Sequence, residues 1–167
     1  ELRMPDGVIN NGVLSQKSFQ ILAGYTSAFG PDESLGPKYK LIIEAYYKSL
    51  WDLVSYEVNN VQIRYAGVNN ATGYLTGLDF RINGELVPGA ESWVNISFLH
   101  AREKLDGIQH LKREVGQEEG VPVNNVPRPT DQFMTLNMFF QDYLPDNENF
   151  RVHLNLSFGT GLPFGIK

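Results

Sequence analysis

The chain has 167 residues, enough for one ordinary domain, of which 42 % are hydrophobic and 20 % charged. It has no cysteine, which excludes disulfides, zinc–thiolate sites and thiol catalysis, and its net charge of -5 argues against nucleic acid as a partner. No run approaches about twenty consecutive apolar residues, so a helical membrane span is excluded. The mean hydropathy of -0.26 fits a soluble β-domain and equally a membrane β-barrel, whose inner face is polar.

The opening Glu1-Leu2-Arg3-Met4-Pro5 lacks the apolar centre of a signal peptide. A processed chain or a fragment is therefore expected. The first strand is predicted over residues 18–29. Phe19, Ile21, Ala23, Tyr25 and Phe29 share one face, with Leu22 as an exception on the other. Turn residues follow at Gly30, Pro31 and Asp32, then at Gly36 and Pro37. The second strand, 38–51, alternates Tyr39, Leu41, Ile43, Ala45 and Tyr47 with Lys38, Lys40, Glu44 and Lys48, with Ile42, Tyr46 and Leu50 as exceptions on the charged side. A helix would scatter those charges around its surface; a strand gathers them on one side.

Between residues 52 and 70 the alternation fades, and a long hairpin loop with a short strand at 61–65 is expected. The third strand, 71–86, places Leu78, Phe80 and Ile82 opposite Asp79, Arg81 and Asn83. Pro88-Gly89 predicts a tight turn into the fourth strand, 91–102, where Val94, Ile96 and Phe98 oppose Asn95 and Ser97. Residues 105–129 are charged and turn-rich. They read as a long loop with a helical turn around 108–113. The fifth strand, 131–143, sets Met134, Leu136, Met138 and Phe140 against Thr135, Asn137 and Gln141. A turn at 145–149 leads to the sixth, 150–159. There Phe150, Val152, Leu154, Leu156 and Phe158 alternate without error with Arg151, His153, Asn155 and Ser157.

The predicted fold class is all-β: an antiparallel up-and-down meander of about six strands. Connections alternate short and long, as in membrane barrels with short turns at one end and long loops at the other. Aromatics gather near the short-turn ends (Phe29, Tyr39, Trp93, Tyr143, Phe150) and near the opposite ends (Trp51, Tyr74), as interfacial girdles would. The same apolar face would also serve the core of a soluble β-sandwich.

Chemistry-bearing residues are sparse. His100, His110 and His153 lack any metal-ligand spacing, so no metal site is expected. Gly73, Gly77 and Gly84 lie inside a strand pattern and read as sites of close packing or curvature. Gly159-Thr160-Gly161 lacks the lysine and helix of a phosphate-binding loop. Asp79 and Glu85 share a face with Arg81 and Asn83, which reads as a salt-bridged polar wall rather than a catalytic acid pair. No catalytic residue and no cofactor are expected, and the chain is not expected to be an enzyme. An enzyme barrel would need a Ser/His/Asp constellation on one inner face.

The stretches EAYYKSLW (44–51), IRYAGVNNATGYLTGLDF (63–80), ESWVNISF (91–98), VPRPTDQ (126–132), FFQDYLP (139–145) and VHLNLSFGTGLPF (152–164) resemble, in this order, the β-barrel of TonB-dependent outer-membrane receptors of the Bacteroidetes type. The resemblance implies a barrel of about twenty-two strands around an N-terminal plug. It also implies a place in the bacterial outer membrane and uptake of a scarce nutrient: an iron chelate, a vitamin or a glycan. Residues 1–167 would then be an internal part of that barrel domain, without the plug. The partners implied are outer-membrane lipid, the rest of the barrel and its plug, TonB through that plug, and a surface lipoprotein. In such receptors ligand contacts fall on extracellular loops, here 52–70 and 104–128, with Tyr56, Arg64 and Tyr65 as candidate ligand-binding residues. A soluble β-sandwich or lipocalin-like module binding a small ligand remains the alternative.

Overall fold

The computed structural model describes residues 7–30, 38–59, 62–87, 90–113, 119–144 and 147–163. The turns expected at 31–37, 88–89 and 145–146, and the terminal residues 1–6 and 164–167, lie outside them. The strands are β1 (Lys17–Phe29), β2 (Tyr39–Asn59), β3 (Gln62–Val87), β4 (Ala90–Leu105), β5 (His110–Lys112), β6 (Val121–Val123), β7 (Val126–Pro127), β8 (Met134–Leu144) and β9 (Asn147–Gly159). The main sheet runs β1-β2-β3-β4-β8-β9, with β7 joined to β4, and β5 pairs with β6 in a small sheet of its own. The chain is thus an all-β antiparallel meander. Among the described residues no pairing closes this sheet into a barrel.

Two expectations need correction. Residues 52–70 are not a loop: β2 and β3 extend through them, and only residues 60–61 lie between the two strands. The alternation fades there because Asp52 takes φ +55°, a left-handed conformation rare for a non-glycine residue. After it, Leu53 and Val54 are buried in succession, so one parity no longer marks one face. The second correction concerns 108–113, where a helical turn was expected. His110, Leu111 and Lys112 instead pair with Val123, Pro122 and Val121. Gly107, at φ +77°, turns the chain after β4, and the β-branched valines favour the pleated pairing over a helix.

The chain divides into two compact units, which share the long strands. The first comprises Glu1–Gln20, Lys48–Leu75 and Ala101–Thr130. It holds a hydrophobic cluster of Leu50, Leu53 and Ala71, with Leu75 and Leu105 packed against it. Its N-terminal stretch is tied down by side-chain amides. Asn10 donates to the Gly67 carbonyl at 2.9 Å. The Asn69 amide accepts from Leu14 N at 2.7 Å and donates to Leu14 O at 2.9 Å, serving Leu14 as a neighbouring strand would. Asn69 also donates to the Asp52 carbonyl at 2.6 Å, and Lys17 meets the Asp52 carboxylate at 2.5 Å. These bonds hold the unusual backbone at Asp52.

The second unit comprises Ile21–Tyr47, Thr76–His100 and Asp131–Lys167. Its strand segments are short: 21–29, 39–47, 76–87, 90–100, 134–144 and 147–159. Register fixes the two faces, because directly paired residues of an antiparallel sheet point the same way. Val94 and Ile96 of β4 pair with Met138 and Leu136 of β8. Those two pair in turn with Leu156 and Phe158 of β9. Phe140 faces Leu154 in the same series. On the other face Asn95 pairs with Asn137, and Asn137 with Ser157.

Among the described residues no core covers the apolar face of this unit. Ala90 is its one buried hydrophobic residue among those described. Phe150, Leu154 and Phe158 remain 60 %, 60 % and 54 % exposed. Exposure of that order is what a face presented to something outside the chain retains. Aromatics pack along it edge to face: Phe80 against Phe98, and Phe98 against Phe133.

Two glycines are required by close approach. At Gly77 a Cβ would fall on the Tyr46 ring, so the ring lies directly over β3. At Gly84, with φ +147°, a Cβ would fall on the Lys38 carbonyl.

Candidate functional site

The polar face of the second unit carries a row of flat groups that runs across four strands. Trp93 of β4 stacks on Phe139 of β8, with centroids 5.9 Å apart and planes 17° apart. Phe139 stacks in turn on His153 of β9, at 6.4 Å and 20°. On the far side the Arg81 guanidinium of β3 lies 5.5 Å from the Trp93 ring, within cation–π reach. Register explains the contacts. Trp93 pairs directly with Phe139, whereas Phe139 pairs with Asn155 and reaches His153 as a diagonal neighbour.

Below the row, Arg151 donates to the Tyr143 hydroxyl and lies 4.5 Å from its ring. These two residues line a shallow recess with Glu91, Gln141 and Asp142. Trp93 and Tyr143 therefore stand on the polar face, beside Asn95 and Gln141, and do not belong to a girdle on the apolar one. Phe29 and Tyr39 do pair at the short-turn end, with centroids 5.6 Å apart. The Tyr39 hydroxyl donates to the Glu85 carbonyl at 3.1 Å, and Lys38 meets the Glu85 carboxylate at 3.1 Å.

Asp79 and Glu85 have different neighbours. Glu85 is held by Lys38, whereas Asp79 lies within electrostatic reach of the Tyr46 phenol. Between them Arg81 Nε donates to Asn83 Oδ1 at 2.9 Å. Thr160, from the glycine-flanked stretch after β9, is used in closure of the β8–β9 pair. Its amide donates to Met134 O at 2.9 Å, its hydroxyl accepts from Met134 N at 3.1 Å, and its carbonyl accepts from Gln132 Nε2 at 2.7 Å. Among the described residues no cluster of His, Asp or Glu has the arrangement of a metal site.

Tyr56 and Tyr65, expected as loop residues, lie on the extended β2–β3 hairpin of the first unit. Their rings meet at 5.9 Å and 55°. Tyr65 is exposed, and so is Arg64 beside it. The hairpin thus offers the Tyr65 phenol and the Arg64 guanidinium to solvent, with the half-buried Tyr56 ring beside them, groups suited to hydrogen bonding and stacking on a hydroxylated or chelating ligand.

A third constellation in the same unit escaped sequence reading. Glu103 of β4 and Arg128, which follows β7, form an ion pair at 3.4 Å with side chains only 13 % and 20 % exposed. The contact is electrostatic rather than a hydrogen bond, since Arg128 Nε has no hydrogen-bond partner among the described residues. His110 Nε2 is buried in the same condition, and the His110 ring lies within electrostatic reach of Glu103. Burial raises the Glu103 carboxyl above its ordinary range, against the opposing pull of Arg128 and His110.

Comparison with family models, with curated proteins and with solved structures finds no match to this chain.

Proposed function

We propose that this chain is part of the barrel wall of a TonB-dependent receptor in the bacterial outer membrane, serving uptake of a scarce nutrient such as an iron chelate, a vitamin or a glycan. In this reading it does no chemistry. The observation that carries the proposal is the uncovered apolar face of the second unit. Its strand segments run from nine residues (21–29) to thirteen (147–159). A tilted strand crosses the hydrocarbon layer in about 9–11 residues. Met138, Leu156 and Ile96 on this face would meet lipid. Asn137, Ser157 and the stacked row would line the interior, against water or the receptor's plug.

Among the described residues the sheet path has six principal strands, and β1 and β9 lie at its edges. Membrane barrels have at least eight, and an unpaired edge in lipid strands its backbone amides without partners. Further strands of the same barrel would satisfy these edges. Tyr56, Arg64 and Tyr65, on the β2–β3 hairpin, would face the incoming nutrient. TonB would act through the plug, and a surface lipoprotein would meet the loop end.

Charge scanning in the intact protein tests the reading. Met138→Arg costs about 2–4 kcal/mol if that side chain meets mid-bilayer lipid, while Asn137→Arg, one residue away on the other face, costs about 1 kcal/mol or less. Equal costs at the two positions contradict a membrane wall. A cost at Met138 that persists in a water-soluble monomer favours a soluble β-sandwich or lipocalin-like module that buries this face.

A further inference from the structure

The register of β4, β8 and β9 arranges the apolar face of the second unit in levels. Phe140 pairs with Leu154, Met138 with Leu156, and Leu136 with Phe158. Val94 and Ile96 of β4 complete the last two levels. Polar groups bound this block at both ends. At one end Asp142 pairs with Val152, so its exposed carboxylate stands on the apolar side, with Oδ1 accepting from the Tyr143 amide at 2.7 Å. Leu144 and Phe150 lie past it, where the register shifts. At the other end Phe98 pairs with Met134, and His100 follows Phe98 with the same parity in β4. Gln132 and Thr160 lie beside Met134, the Gln132 amide donating to the Thr160 carbonyl at 2.7 Å.

We propose that the β4–β8–β9 stretch of the wall fits a thin hydrocarbon layer, about 20 Å or less, centred on the Met138–Leu156 level and bounded by Asp142 on one side and by His100 and Thr160 on the other. The proposal rests on the membrane-wall reading and adds the thickness and depth of the lipid that the wall meets. An ionised carboxylate is costly in hydrocarbon, so Asp142 marks where hydrocarbon stops. Antiparallel strands rise about 3.4 Å per residue and tilt by about 35–45° in membrane barrels. On that basis the step from Val152 to Phe158 spans roughly 14–17 Å across the layer, and the step from Asp142 to Met134 roughly 19–22 Å. The apolar band of such barrels is ordinarily about 25 Å tall. A layer of that height centred on Met138 would take in the Asp142 carboxylate. A short apolar stretch is met by thinning of the bilayer beside it, and Leu144 and Phe150 then lie among the headgroups.

Depth-resolved quenching on the intact protein in vesicles reads this directly. Met134→Cys, Val152→Cys and Leu156→Cys each carry one fluorophore, in a protein whose other cysteines have been replaced. The lipids bear bromine either near the headgroup or near the end of the tail. Deep bromine is expected to quench the label at 156 about twofold more than shallow bromine, and the order to reverse at 134 and 152. Asp142→Leu should raise the deep-to-shallow ratio at 152 about twofold and leave that at 156 unchanged. Asp142→Asn keeps an acceptor for the Tyr143 amide and should shift the label at 152 in the same direction. Deep quenching at 134 and 152 equal to that at 156 overturns the thin layer and leaves the membrane wall standing. So does a deepest label at 134 or 152, or a ratio at 152 that neither substitution moves. Lipid quenching at none of the three positions contradicts the membrane wall itself, and this proposal with it.

Discussion

Gly77→Ala is the substitution whose effect follows most directly from the packing of the polar face. The new methyl would occupy the place of the Tyr46 ring, with the Cζ, Cε1 and Oη atoms as its nearest neighbours. The ring must then swing off β3, and overpacking of this kind costs about 1–3 kcal/mol. In a Tyr46→Ala background the space is empty. There the same change replaces a glycine inside a strand, which is favourable by about 0.5–1 kcal/mol. The effect of Gly77→Ala should therefore change sign with the identity of residue 46, and the coupling between the two sites should be about 1.5–4 kcal/mol, the sum of those terms. Chemical denaturation of the intact protein measures all four corners of the cycle. An equal cost of Gly77→Ala in both backgrounds would refute the placement of the ring over the glycine.

Further outcomes follow from other contacts. Asn69→Ala removes both amide bonds to Leu14 and the one to the Asp52 carbonyl, so it should cost about 1–3 kcal/mol and deprotect the Leu14 amide in hydrogen exchange. Trp93 and Phe139 should show a coupling of about 0.5–1.5 kcal/mol in a double alanine cycle, because their rings stack beyond simple area burial. Burial holds the Glu103 carboxyl above the ordinary value of 4.5, against Arg128 and His110. A raised acid binds its proton more tightly in the folded state. Its contribution to stability is complete below the ordinary value and is lost as the pH rises through the raised one. Exchange at the end of β4, corrected for the intrinsic rate, should accelerate over that interval, and Glu103→Gln should flatten the profile.

The strands were most legible where both faces kept one parity. Residues 150–158 alternate without error, and the structure extends that strand back to Asn147, where Leu144 pairs with Asn147 across an irregularity. Parity failed at Asp52, whose positive φ is enforced from outside by Asn69 and Lys17. No local pattern announces bonds that come from residues 17 and 35 positions away. The pairs of β5 with β6 and β7 with β4 involve two or three residues each, too few to show any period. The stacked row was half legible. Trp93 and Phe139 occur at polar-face positions, an anomaly that sequence alone displays. Which rings meet depends on a register between strands about forty residues apart, and only the sheet supplies it. The Glu103–Arg128 pair gave no signal, because charged residues in a turn-rich stretch ordinarily read as solvated.

These 167 residues contain no cysteine, so a cysteine introduced among them, in an intact protein whose other cysteines have been replaced, measures the central question directly. Cysteine at 138 or 154, in place of Met138 or Leu154, reports on the apolar face; cysteine at 137 or 155, in place of Asn137 or Asn155, reports on the polar one. Each is labelled with an environment-sensitive fluorophore in the intact protein in vesicles. Hydrocarbon contact predicts quenching by brominated lipid tails at 138 and 154, with no quenching there by aqueous iodide, and no lipid-tail quenching at 137 and 155. Labels at 138 and 154 that iodide reaches, or that neither quencher reaches, would contradict a wall whose greasy side faces lipid.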